Sequence, residues 1–234
     1  MLLISILVAY LFIFTIMKDE SQLKITRSVF FIPILYVCTI WFIYWVEIYF
    51  NFNFNKYGVL PRDFTGLRGV FLTHFIHSDT SHIFNNSIPL FVLLLSLFYF
   101  YRNIAYKVLI FGGILSGFLT WGIARESYHI GASGIVYLLF SFVFFSGIIR
   151  KHYRLVALSL IIIFLYGSMI WYVLPIKDGM SWEGHLSGFL VGLLFAVFYR
   201  NKGIIKEEHQ FTETAFDLLF DENGKYTPPE IEEE

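Results

Sequence analysis

An all-α fold, a polytopic membrane helical bundle, is what this sequence predicts, and three observations carry the prediction. The first is composition: 57% of residues are hydrophobic and 21% aromatic, and only 15% are charged. A soluble chain carries about 25% charged residues. The second is the recurrence of apolar segments near the length that spans a bilayer. The third is the uneven placement of lysine and arginine between those segments. A net charge of −1 offers nothing to a polyanion, so no nucleic-acid partner is expected. The single cysteine, Cys38, allows no internal disulfide and is read as a packing residue.

Met1 to Met17 is a short apolar run ending at Lys18. It lacks a basic start and a small-residue cleavage site, so it is read as an extra membrane helix rather than a removed signal. Residues 1–28 are thus an N-terminal transmembrane segment and its cytoplasmic loop. Six apolar segments follow, at about 29–50, 82–101, 104–123, 132–149, 155–174 and 184–199. Each approaches the ~20 residues that cross a ~30 Å hydrocarbon layer as a helix. They make a six-helix core over 29–200. The connection from Asn51 to Ser81 is long, with Gly58, Pro61, Gly66 and Gly69 among aromatics. Its mixed polarity suits a segment at the outer interface with structure of its own. After Arg200 the composition turns acidic, so 201–234 is expected to be a largely disordered cytoplasmic tail, with at most a transient turn over Ala215 to Phe220. No internal repeat is found, which disfavours a transporter built from inverted halves.

Orientation follows from the cations. Lys18, Lys24, Arg27, Arg102, Lys107, Arg150, Lys151, Arg154, Arg200 and Lys202 fall on one side; Lys56, Arg62, Arg68, Arg125 and Lys177 fall on the other. Ten against five places the first set in the cytoplasm. Trp45, Trp121, Trp171 and Trp182 then gather at the outer face, as an interfacial belt does.

Polar groups inside a bilayer are costly and call for a reason. Gly131-Ala132-Ser133-Gly134 opens the fourth core segment at its outer end. Such a string is also what a small-residue contact patch looks like. Its place in a first helical turn adds something: backbone N–H groups there lack intrahelical partners and can face an anion. His185 opens the sixth segment, with Gly188 and Gly192 following on one helix face. That face lets another backbone approach closely, and if the neighbour is the Ser133 helix, imidazole and hydroxyl come within hydrogen-bond reach. A bland interfacial histidine is the other reading. A third cluster spans His74, His77, Asp79, His82, Asn85 and Asn86, in which His82 and Asn86 share a helix face. Both can donate to an oxyanion. A metal site at His74, His77, Asp79 and His82 is the rival, but the chain has no His-Glu-x-x-His string.

Taken in order, His82-x-x-x-Asn86, Gly131-Ala132-Ser133-Gly134 and His185 with Gly188 and Gly192 make the chain resemble a rhomboid intramembrane serine protease over roughly 29–200. Tyr137, four residues after the serine, matches the family tyrosine that packs on the histidine. The resemblance implies a Ser133–His185 dyad, and an oxyanion hole of His82, Asn86 and the Ser133 N–H. It implies a laterally embedded first outer loop and a mobile cap over Pro175 to Ser181. Asp79, Glu126 and Glu183 stay open as groups that could orient the histidine. An aromatic–arginine pair common in the family's first loop is not evident here. The expected reaction is endopeptidase cleavage in or next to transmembrane segments of other membrane proteins, with no metal or organic cofactor. The site would open to the extracytoplasmic side of a plasma membrane. The alternative is a related protein that binds or remodels membrane clients without cutting them.

Overall fold

Apolar sequence with almost no interior charge leaves the backbone one way to satisfy its polar groups in lipid, and the chain takes it by folding nearly everything into helices. The computed structural model describes residues 25–177, 179–202, 216, 219–221 and 224–227. The expected membrane segment of Met1 to Met17 lies outside these residues, as does most of the acidic tail. Six long helices follow in order: α1 (Arg27–Tyr49), α2 (Thr80–Phe100), α3 (Ala105–Ile123), α4 (Ser133–Arg150), α5 (Tyr153–Tyr166) and α6 (Trp182–Phe198). Among the described residues, five helical stretches are long and apolar enough to cross a membrane, counting α5 with its 3-10 extension to Val173. The chain is a polytopic helical bundle.

The fifth segment departs from a plain helix. After Tyr166 it continues as a 3-10 helix over Gly167–Val173. Gly167 stands at the change, where weak helix propensity makes a break cheap. α4 and α6, at 18 and 17 residues, are shorter than α1 and α2 at 23 and 21. Both short helices begin at the same cavity, so the turns they lack are the space a site occupies.

α4 is the centre, and its most extensive contact is with α6. Glycine makes that contact possible. A Cβ on Gly188 would sit 2.1 Å from the Gly134 carbonyl oxygen, and one on Gly192 2.2 Å from that of Leu138. Side chains larger than hydrogen are excluded at both points. Ser141, fully buried, donates to the Phe189 carbonyl at 2.7 Å and pins the same interface. At the inner end Arg150 lies over the Tyr101 ring and donates to the carbonyls of Tyr199 and Lys202, closing the end of α6. α1 is held to α2 by Trp41 Nε1 donating to Ser87 Oγ at 2.9 Å. Otherwise α1 buries only Val29, Pro33 and Ile40. Cys38 corrects the sequence reading: it is exposed on this outward-facing helix rather than packed.

The first outer loop is structured, as its length and composition predict. It holds 3-10 turns at Asn55–Tyr57, Phe64–Arg68 and Thr73–Phe75, and a helical turn at Gly69–Leu72. Arg62 and Trp121 tie it to the outer end of α3: Arg62 Nη1 donates to the Ala124 carbonyl at 2.7 Å, and Trp121 Nε1 to that of Asp63 at 2.9 Å. Within the loop, the Arg68 guanidinium lies 4.7 Å over the Tyr57 ring.

Candidate active site

Gly131 starts the site. Its φ of +118° strains any residue with a side chain, and a Cβ there would fall 2.7 Å from His82 Nε2 and 3.6 Å from Ser133 Oγ. The same measurement shows that His82 and Ser133 converge on one spot. Two donations hold the turn. Gly131 N–H reaches the Thr73 carbonyl at 2.9 Å, and Ala132 N–H reaches His77 Nε2 at 3.3 Å. Burial holds the His77 ring well below the usual histidine range, at about 3, so it stays a neutral acceptor. Helical bonding in α4 begins with Ile135 N–H on the Ala132 carbonyl, at 3.0 Å. The N–H groups of Ser133 and Gly134 precede that first bond.

Asp79 caps α2, its Oδ1 accepting from His82 N–H at 2.8 Å. That bond, with the Ser78 hydroxyl, keeps the carboxyl below its ordinary range and hence ionised. The cap starts the helix so that His82 and Asn86 both line the cavity. Ser78 Oγ lies 2.7 Å from Asp79 Oδ2 and 3.2 Å from His82 Nδ1, and has one hydrogen to give. That hydrogen goes to the Asp79 carboxylate, which can only accept, so the Ser78 oxygen accepts from His82 Nδ1–H. Asn86 is buried, and its Nδ2 donor has no partner among the described residues.

His185 sits in the first turn of α6 and stacks on Tyr137, ring centroids 4.2 Å apart and 14° from parallel. Tyr137 is itself fixed by its hydroxyl donating to the Met169 carbonyl at 2.9 Å. His185 Nδ1 is 2.9 Å from the Tyr172 carbonyl. A carbonyl only accepts, so the proton is on Nδ1, and Nε2 is the nitrogen with a free lone pair. The 3-10 extension of α5 therefore supplies both carbonyls that set this ring. None of the three acidic candidates does so: Asp79 caps α2, Glu126 is exposed, and Glu183 pairs with Arg125 at 3.2 Å.

Ser133 and His185 line one cavity of about 720 Å³ with His82, Asn86, Tyr137 and the Met180–Ser181 end of the cap. The sequence reading expected them within hydrogen-bond reach. No hydrogen bond joins them among the described residues: the His185 ring is held by Tyr137 and Tyr172, and Ser133 Oγ is turned beside Gly131. Catalytic hydrogen bonds are often long before substrate arrives. The rival metal cluster does not converge. His74 Nε2 is taken by the Gly113 carbonyl at 3.1 Å and His77 Nε2 by Ala132. Among the described residues no group of three His, Cys, Asp or Glu is placed to hold a metal ion.

Sequence reasoning missed Tyr172 and the roles of His77 and His129. Tyr172 acts through its backbone, which leaves no residue signature. His77 and His129 were visible as histidines, but their partners lie 55 and 52 positions away.

The Rhomboid domain family matches residues 65–202 of the chain. Two curated relatives, each named only as an uncharacterized protein, come from Mycobacterium tuberculosis and Mycobacterium bovis. Both are 33% identical over 151 residues, covering 59% of this chain and 62% of theirs. A third, an uncharacterized protein of Mycobacterium leprae, is 29% identical over 142 residues, covering 56% of this chain and 55% of its own. The chain thus spans less than two thirds of the relatives it matches.

Proposed function

The chain belongs to the rhomboid family of intramembrane-protease-like membrane proteins, and on that premise we propose that it is a serine endopeptidase that cuts in or beside the transmembrane segments of other membrane proteins. The observation that carries this reading is the state of His185: with Nδ1–H on the Tyr172 carbonyl, Nε2 is left as a base in the cavity that Ser133 also lines.

In this reading Nε2 takes the Ser133 proton as Oγ attacks the scissile carbonyl. The oxyanion is met by the Ser133 N–H and by Asn86 Nδ2, with His82 a third donor in the tautomer that carries its proton on Nε2. His185 returns its proton to the leaving amine, and an acyl-enzyme remains. Water then gives a proton to Nε2 and its hydroxyl to the acyl carbon, and Nε2 passes that proton to Ser133 Oγ as the acyl–oxygen bond breaks. The imidazolium formed midway keeps its Tyr172 bond throughout, so the ring need not turn. No acidic residue is required.

Hydrolysis needs water, and the serines, asparagines and histidines around the cavity can hold it where lipid cannot. An intact helix hides its peptide bonds, so substrates are segments that unwind readily near the interface. The cation asymmetry favours an opening on the extracytoplasmic side, and in this reading the membrane is a plasma membrane.

Fluorophosphonate labelling of detergent-purified protein tests the reading. Wild type should take label, Ser133→Ala none, and His185→Ala about as little, because the two act as one unit. Label persisting on Ser133→Ala would end the assignment. Folded wild type that takes no label would favour the non-cleaving, client-binding alternative.

A further inference from the structure

A second serine–histidine pair bridges the same two stretches of chain. His129 precedes Ser133 by four residues and Ser181 precedes His185 by four, so both pairs are separated by 52 positions. Unlike Ser133 and His185, this pair is in contact: His129 Nδ1 and Ser181 Oγ are 2.6 Å apart. His129 Nε2 lies 3.0 Å from the Arg125 carbonyl. The ring proton is therefore on Nε2, and Nδ1 accepts the Ser181 hydroxyl.

His129 is well anchored to act as a post. It is 3% exposed. Its backbone exchanges hydrogen bonds with Val59 at 2.8 and 2.9 Å, and Thr73 Oγ1 donates to its carbonyl at 2.7 Å. The first outer loop thus fixes His129, and His129 fixes the end of the cap. Arg125 adds a parallel tie, donating to the Met180 carbonyl at 2.7 Å and to Glu183 at 3.2 Å. Just inside the cavity, α4 and α6 meet backbone to backbone where Gly188 abuts the Gly134 carbonyl. Along the chain, Ser133 and His185 fall between these two fixed points.

We propose that the His129–Ser181 hydrogen bond is a positioning clamp for the reaction, holding the approach to Ser133 and the approach to His185 at one separation. The charged groups facing the ring are Arg125 on its own loop and Glu183 on α6; Val59 and Thr73, which bond it from the first outer loop, are uncharged. Burial holds His129 below the ordinary histidine range. Near neutral pH the ring is therefore neutral, the form in which Nδ1 accepts from Ser181. The clamp's function rests on the hydrolase reading; its geometry does not.

The test is the rate of fluorophosphonate labelling of Ser133 at neutral pH, on full-length wild type, His129→Ala, His129→Gln and Ser181→Ala, with melting temperatures taken alongside. A shift of about 1 Å can cost about a hundredfold in rate, so His129→Ala and Ser181→Ala should label about ten- to a hundredfold more slowly. His129→Gln keeps a donor and an acceptor and should recover much of the rate lost in His129→Ala. Wild-type rates in His129→Ala and Ser181→Ala would overturn the clamp. So would a His129→Gln rate as low as that of His129→Ala at a wild-type melting temperature. Should His129→Ala not fold, Ser181→Ala carries the comparison. Wild type that takes no label would fail the hydrolase reading instead. The clamp is then judged by amide exchange over residues 179–185: faster exchange in Ser181→Ala than in wild type supports it, and identical exchange overturns it.

Discussion

α4 and α1 are almost equally apolar, with hydropathies of 1.8 and 2.1, yet 67% of the α4 window is buried inside the protein and only 17% of the α1 window. In water such a pair would be impossible, because the greasier helix would be driven inside. In lipid, burial between helices gains little over burial in acyl chains, so apolarity does not rank helices by depth. Size does. α4 presents Ser133, Gly134, Ser141, Ser146 and Gly147 and accepts α6 at backbone distance. α1 instead turns Phe31, Phe42, Trp45 and Ile48 outward. The centre of this bundle is marked by what its side chains lack.

Three substitutions probe that contrast. Gly188→Val puts a side chain where the Gly134 carbonyl stands and should cost about 3 kcal/mol in thermal or denaturant unfolding in detergent, with loss of Ser133 labelling. A variant as stable as wild type would mean that the α4–α6 contact is not tight. Ser141→Ala removes one interhelical hydrogen bond; about 0.6 kcal/mol is typical of such bonds in membrane bundles. Phe42→Leu, on the outward face of α1, should stay within about 0.5 kcal/mol of wild type. A loss there equal to that of Gly188→Val would erase the distinction between the two helices.

The bundle was legible because each span is long, continuous and bounded by cations. Thus the third segment, read as 104–123, is found as Ala105–Ile123. What apolarity could not reveal was facing, which is why Cys38 was misplaced. The shared face of His185, Gly188 and Gly192 was legible for a related reason: helical spacings of three and four stack residues on a face, and these spacings are local, whereas Tyr137 was reached only through the rhomboid resemblance. The supports around them are not local. His77 meets Ala132, His129 meets Ser181 and Arg68 covers Tyr57 only once distant stretches have folded together. No periodicity announces such meetings. The 3-10 end of α5 was hidden as well, since Gly167 in an apolar run looks like any other membrane glycine.

The Tyr172 carbonyl has an implication for inheritance. A histidine oriented by an aspartate can lose its partner to one nucleotide change; a histidine oriented by the main chain cannot, because all twenty amino acids carry the same carbonyl. What would release the ring is a change in the path of residues 167–173, by insertion, deletion or a break at Gly167. Sensitivity at this support should therefore track chain length and backbone path rather than the identity of the residue at 172.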